Sequence, residues 1–172
     1  MANISYEGEN QKGNVSEAGW ANAFGSQDFS NFEKLFTEDA TLQAPTINGV
    51  IRGRKQVAAT YGTASKYYEY CNFTNQAVSA SPFDPEGTRT WLEWEVKTLD
   101  GMKMWGFTII DKNANGEIFK AVTLHYPLGE ALLFSNHLRQ GTKGIVDEKF
   151  FFTTDLAAET LKKYPNYRDE LK

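Results

Sequence analysis

His125, Tyr61 and Glu93 are the residues of this 172-residue chain whose types suit proton chemistry. An imidazole is the side chain best matched to acid and base work near neutral pH, and His125 closes a strand-like run. Tyr61, on the inward side of an expected helix, can donate a hydrogen bond to a carbonyl oxygen. Glu93 forms a period-two pair with Glu95. If its strand face turned inward, Glu93 could work with His125 as an acid/base pair, with a pKa raised by burial. Each residue also has a plainer reading. His125 would then sit on an outer face or in a dimer contact, the glutamates on a solvated strand face, and Tyr61 in a core. His137 reads as a surface residue, and the lone Cys71 as a small buried apolar group. Two histidines and one cysteine, far apart in sequence, give no metal-ligand spacing. There is no glycine-rich phosphate loop and no GxSxG elbow, so neither metal nor cofactor is expected.

The elements that must position these residues follow from periodicity. A first helix is predicted from Ser16 to Phe24, with Trp20 and Phe24 on one side and Gly25 past its end. A second is predicted from Asp28, as N-cap, to Asp39, with Phe29, Phe32 and Phe36 as its buried stripe. Ala40–Pro45 reads as a short strand, placing Leu42 and Ala44. A third helix begins near Arg54, with Val57, Tyr61, Ala64 and Tyr68 inward. Period-two strands then follow at Phe73–Ala80, Thr90–Thr98, Lys103–Asp111 and Ile118–Tyr126. Pro127 ends the last, and an amphipathic helix covers residues 129–140. An apolar patch, Phe150 to Phe152, and a short helix around Leu156–Lys163 close the chain. This order builds an α+β cone: three N-terminal helices against a curved antiparallel sheet, enclosing an apolar pocket, with extra C-terminal helices.

Two-residue turns at Asp100-Gly101 and Asn115-Gly116 would set the sheet register. They pair Val96 with Trp105, Trp94 with Phe107 and Leu92 with Ile109. They also pair Ile109 with Val122, Phe107 with Leu124 and Trp105 with Tyr126. All of these fall on one face, which should meet the helices. Glu93, Glu95, Met104, Gly106, Thr108, Ala121, Thr123 and His125 fall on the other, toward solvent or a second subunit. A single bulge would change this. Trp20, Phe24, Phe36, Leu42, Ala44, Trp94, Trp105 and Phe107 are thus the expected pocket lining.

Composition bounds the function class. A net charge of −4 argues against nucleic acid, which needs a basic stripe. No apolar run approaches the roughly 18 residues of a membrane span, and the N-terminus has no signal-peptide pattern, so the expected setting is cytoplasmic. Aromatic residues at 14% fit a large core or a ring-lined pocket.

The order of elements, with Trp20–Phe24, Asp39-Ala40-Thr41, Gly53-Arg54-Lys55-Gln56-Val57 leading to Tyr61, and Asn115-Gly116-Glu117-Ile118, resembles the nuclear transport factor 2-like (NTF2-like) cone in its SnoaL-like and ketosteroid isomerase-like branch. The ending His125-Tyr126-Pro127-Leu128, followed by a helix, is similar to many SnoaL-like proteins. The resemblance covers about residues 16–140 and implies a domain over 15–141, with an arm at 1–14 and an extension at 142–172 packed on the domain or a dimer partner. It implies a homodimer with a deep apolar pocket. Family members include isomerases, polyketide cyclases, epoxide hydrolases, dehydratases and proteins that catalyse nothing. Ketosteroid isomerases carry an oxyanion tyrosine where Trp20 stands and a base aspartate where Ala44 stands. Their second aspartate falls near Gly106–Thr108 here. None of the three is kept, so isomerisation by that set of groups is not expected. Tyr61 matches a family tyrosine that orients the oxyanion tyrosine. The resemblance implies an apolar, oxygen-bearing polyketide- or terpenoid-like ligand, handled by a cofactor-free isomerase, cyclase or lyase or by a non-catalytic binding protein.

Overall fold

The computed structural model describes residues 18–153 with Asp155 and Glu159. The expected arm at 1–14 and, apart from Glu159, the tail helix lie outside the described residues. The elements are α1 (Ala18–Ser26), α2 (Phe29–Glu33), β1 (Phe36–Gln43), β2 (Ile51–Arg52), α3 (Arg54–Tyr67), β3 (Tyr68–Ala80), β4 (Thr88–Thr98), β5 (Lys103–Lys112), β6 (Ile118–Tyr126) and α4 (Leu128–Gly141). They form the expected α+β cone. The six-stranded sheet runs β2-β1-β6-β5-β4-β3, and only β1 and β6 pair in parallel.

Asp28 caps α2, its carboxylate accepting from Ser30 N at 2.9 Å. The helix does not reach Asp39, however. It stops at Glu33, and Phe36 begins β1 instead. Leu35 O accepts from Ile118 N at 2.8 Å, and Phe36 pairs with Ile118. Tertiary pairing with β6 overrides the helical spacing of the phenylalanines. Phe32 and Phe36 are buried all the same, one from the helix and one from the strand.

The hairpins decide which face of the sheet is inside. The β4–β5 connection has a three-residue loop, Leu99 to Gly101. Thr98 N donates to Met102 O at 2.9 Å, and Gly101 takes φ +90°. That extra residue moves β5 by one position against the two-residue turn, so Val96 pairs with Met104, Trp94 with Gly106 and Leu92 with Thr108. The β5–β6 connection has the same kind of loop, closed by Asn113 N to Glu117 O at 2.9 Å with Gly116 at φ +81°. There a register shift between Asp111 and Lys112 restores the expected pairs: Ile109 with Val122, Phe107 with Leu124 and Trp105 with Tyr126.

The predicted apolar face is therefore corrected in its second half. Leu92, Trp94 and Val96 do face the helices, but with Met104, Thr108, Ile110, Ala121 and Thr123, all buried. Trp105, Phe107, Leu124 and Tyr126 lie on the outer face, 37–47% exposed. The buried Asp111 carboxylate takes a bidentate hydrogen-bonded contact from Arg89, at 2.8 and 2.9 Å, and ties β4 to β5. The aromatic patch at the C-terminal end packs on the β1–β2 connection and α4. Phe151 bridges to Ile47, and Phe152 N donates to Ser135 Oγ at 2.9 Å.

Candidate functional site

The helices and the inner sheet face surround an apolar cavity. α1 contributes Trp20 and Phe24, α3 contributes Thr60, Tyr61 and Ala64, and β1 with its following loop contributes Leu42, Ala44 and Ile47. The sheet supplies Phe73, Trp94, Thr108, Thr123 and His125, and α4 closes the space with Phe134 and Leu138. No Asp, Glu, Lys or Arg of the described residues lines it. The cavity volume is about 30 Å³. An occupant bigger than one or two waters must therefore spread the rings.

Tyr61 is held on three sides by aromatic contacts. Trp20 meets its ring edge to face at 4.7 Å between centroids, and Phe32 and Phe36 stack at 6.1 and 5.9 Å. Its hydroxyl lies 2.8 Å from Thr123 Oγ1, which lies 3.3 Å from Thr108 Oγ1. Trp94 Nε1 donates to Thr108 Oγ1 at 3.0 Å. An indole N–H only donates, so Thr108 Oγ1 accepts from Trp94 and keeps its own O–H for another partner; along Thr108, Thr123 and Tyr61 either hydroxyl of each pair can be the donor. In the arrangement where Thr123 donates to the phenol oxygen, the Tyr61 O–H is left to donate into the cavity. Burial raises the Tyr61 pKa far above the ordinary phenol value, opposed by the Thr123 hydrogen bond, so the phenol stays neutral.

His125 comes inward on β6. Its ring packs edge to face against Trp94 at 5.2 Å and lies 6.2 Å from Phe134. The residue as a whole is only half-buried, but its Nδ1 is out of contact with solvent and has no hydrogen-bond partner. Burial pushes its pKa down to about 4, so the imidazole is neutral at pH 7. Trp20 Nε1 is a second buried polar atom without a partner. Burial also raises the Cys71 thiol, which makes it a poor nucleophile.

The structure thus brings together Tyr61, His125, Trp20, Phe24, Leu42, Ala44 and Trp94. It does not bring in the others. Glu93 lies on the outer face, opposite Phe107, in a depression shared with Thr74, Asn75, Glu95 and Trp105. It cannot pair with His125 through the sheet. Trp105 and Phe107 are also outside, because the three-residue hairpin loop turned β5 over. Phe36 is buried behind Tyr61 rather than at the cavity wall. Sequence reasoning missed Thr108 and Thr123. Their signal was present, since both alternate with large apolar residues and share a period-two face with Gly106 and His125. His137 is on α4, 2.9 Å from Asp100 and 4.6 Å from the Tyr67 ring, and does not line the cavity. Among the described residues no group of three or more His, Cys, Asp or Glu could hold a metal ion, and no helix is long and apolar enough to cross a membrane.

Comparison with known proteins places this geometry. No curated protein matches the chain. Among solved structures it is similar to a steroid delta-isomerase from Pseudomonas aeruginosa, with a TM-score of 0.58, 16% identity, and 96% of this chain and 98% of that one covered. It is similar to an uncharacterised protein with a cystatin-like fold from Silicibacter pomeroyi, with a TM-score of 0.57, 18% identity, and 90% and 94% covered. It is also similar to part of the Anabaena orange carotenoid protein binding canthaxanthin, with a TM-score of 0.53, 20% identity, and 70% of this chain but 38% of that one covered. At these identities the likeness is one of fold. Residues 18–121 match the SnoaL-like domain family. The chain therefore belongs to the SnoaL-like family and carries its NTF2-like cone.

Proposed function

We propose that the cavity binds an apolar, oxygen-bearing small molecule and acts on it without a cofactor, as an isomerase, cyclase or dehydratase. One observation carries this reading: a hydroxyl that can donate, Tyr61, and an imidazole whose Nδ1 has no partner, His125, line the same largely apolar space, which has no charged side chain among the described residues. In this chemistry His125 takes a proton from the carbon beside a carbonyl. The electron pair moves onto oxygen as an enolate, which accepts from Tyr61, and His125 returns the proton to another carbon. A conjugate-acid pKa near 4 gives His125 about the basicity of a carboxylate while leaving it uncharged. That fold neighbours include a steroid isomerase and a carotenoid-binding protein is compatible with a ligand of this polarity.

The test needs no knowledge of the natural substrate. Acetophenone in heavy water exchanges its methyl protons through the enol, and NMR follows the exchange. The reading expects the protein to accelerate exchange, His125→Ala to abolish the acceleration, and Tyr61→Phe to reduce it about 10²- to 10³-fold. If both variants exchange as fast as wild type, the assignment of these two residues is wrong.

One observation favours a second reading, a binding protein without turnover. No carboxylate of the described residues lines the cavity, and Glu93 lies outside it. Acetophenone that binds without accelerated exchange would decide for this reading.

In either case a second copy of the chain is the proposed cover for the outer sheet face. Trp105, Phe107, Leu124 and Tyr126 form a contiguous apolar surface on neighbouring strands there, with Glu93 and Glu95 beside Lys97 and Lys103. Such a face can pair with itself about a two-fold axis.

A further inference from the structure

Two residues that line the cavity carry a buried polar atom without a partner, Trp20 at Nε1 and His125 at Nδ1. The Trp94 indole, which lines the same cavity from β4, shows the alternative, since its N–H is spent on Thr108. Trp20 is 2% exposed and lines the cavity, so no bulk water serves its N–H. A buried donor without an acceptor destabilises the fold by about 1–3 kcal/mol, and such atoms are few in folded proteins. An occupant that accepts from it removes that cost. The Trp20 and Tyr61 rings stand edge to face at 4.7 Å, so two residues that carry donors are neighbours in the lining.

The wall also lacks charge. No acidic or basic side chain among the described residues lines the cavity, and His125, its one titratable group near neutrality, is uncharged there. A carboxylate brought into this space would lose its hydration and meet no counter-charge.

We propose that the cavity selects an uncharged ligand that presents a carbonyl-type oxygen to Trp20 Nε1, and that it rejects carboxylates of the same shape. This rests on the small-molecule reading above, but it makes Trp20 a specificity-determining donor rather than a packing residue.

Three probes of nearly the same shape separate the terms: acetophenone with a carbonyl, ethylbenzene with none, and benzoate with a charge. The chain has four tryptophans, so its indole N–H signals are few enough to follow by heteronuclear NMR, and Trp20→Phe assigns the relevant one. The expected result at neutral pH has three parts. Acetophenone binds at least about tenfold tighter than benzoate. The Trp20 N–H signal moves downfield with acetophenone and not with ethylbenzene. Trp20→Phe weakens acetophenone about 3- to 10-fold relative to ethylbenzene.

The proposal is overturned if benzoate binds as well as the ketone, or if Trp20→Phe weakens ketone and hydrocarbon equally. It is also overturned if the Trp20 signal stays upfield with every probe, which would mean that its N–H is spent on a neighbouring ring face. If the variant does not fold, the wild-type signal decides alone. If no probe binds up to about 1 mM, the small-molecule reading itself falls, and this proposal with it. Ketone binding without Trp20 involvement would overturn the present proposal only.

Discussion

The Trp94 indole meets the His125 imidazole edge to face, 5.2 Å apart, across a strand position that has no side chain. That position is Gly106, paired on one side with Trp94 and on the other with His125. A Cβ there would stand 1.8 Å from Leu124 O and 3.0 Å from Trp94 Cζ2. The bare backbone lets the indole lean over β5, touch the imidazole, and still reach Thr108.

Gly106→Ala should therefore disturb both the fold and the site. The loss expected is about 1–3 kcal/mol or more, because the clash is with backbone and cannot be relieved by a rotamer change. Urea denaturation measures it. A midpoint equal to wild type would mean that β5 and β6 sit farther apart than described.

Thr123→Val keeps shape and removes the hydroxyl between Tyr61 and Thr108. The expected cost is about 1–3 kcal/mol, since it breaks the chain and takes away the partner of a buried phenol. Double-mutant analysis with Tyr61→Phe should recover part of this loss, because the second change removes the orphaned group. Strict additivity would show that the two hydroxyls do not interact.

The His125 pKa sets a pH dependence of stability. Its folded value, about 4, lies below the ordinary 6.5, so the unfolded chain binds the proton more readily than the native one. Stability from this group is complete above about 6.5 and falls as pH drops toward 4, by up to about 3 kcal/mol. Thermal unfolding of wild type and His125→Gln between these limits checks it. The variant should show the flatter profile; parallel profiles would mean that the imidazole is solvated in the folded protein.

Gly101 carries the loop that sets the β4–β5 register. At φ +90° an alanine is strained, so Gly101→Ala should cost about 1–2 kcal/mol without changing the fold. Nothing lies within 4 Å of an added Cβ there, so the loss would be conformational rather than steric. An unchanged stability would indicate a different turn.

Trp105→Glu should convert a dimer into a monomer if the outer face is the contact between copies, at little cost to the isolated fold, because Trp105 is 47% exposed. Sedimentation at micromolar concentration reads this. A wild-type monomer would remove the proposed interface.

Much of this architecture is written in local patterns. The α3 stripe of Val57, Tyr61 and Ala64 and the Asp28 cap need only nearest neighbours along the chain. The β6 run to Tyr126 and the Phe134 and Leu138 face of α4 are of the same kind. They could be placed from periodicity, and with them the cone, while the family followed from the resemblance of the ordered motifs. The pairing of β5 with β6 was legible too. The site was only half legible. Tyr61, Trp20 and Trp94 could be placed in the cavity from the sequence, whereas His125 was assigned to the face away from the apolar set.

What the tertiary structure alone decided is the fate of one residue in a loop. Side chains alternate along a strand, so a single extra residue between Thr98 and Met102 exchanges the two faces of β5 and, through its pairing, of β6. It sends Trp105, Phe107 and Leu124 outward and brings Gly106, Thr108, Thr123 and His125 in. Hydrophobicity along the strand favours the opposite choice by several large side chains. The loop geometry and the fit of Trp94 over Gly106 prevail because both depend on contacts between strands, which no pattern within one strand records.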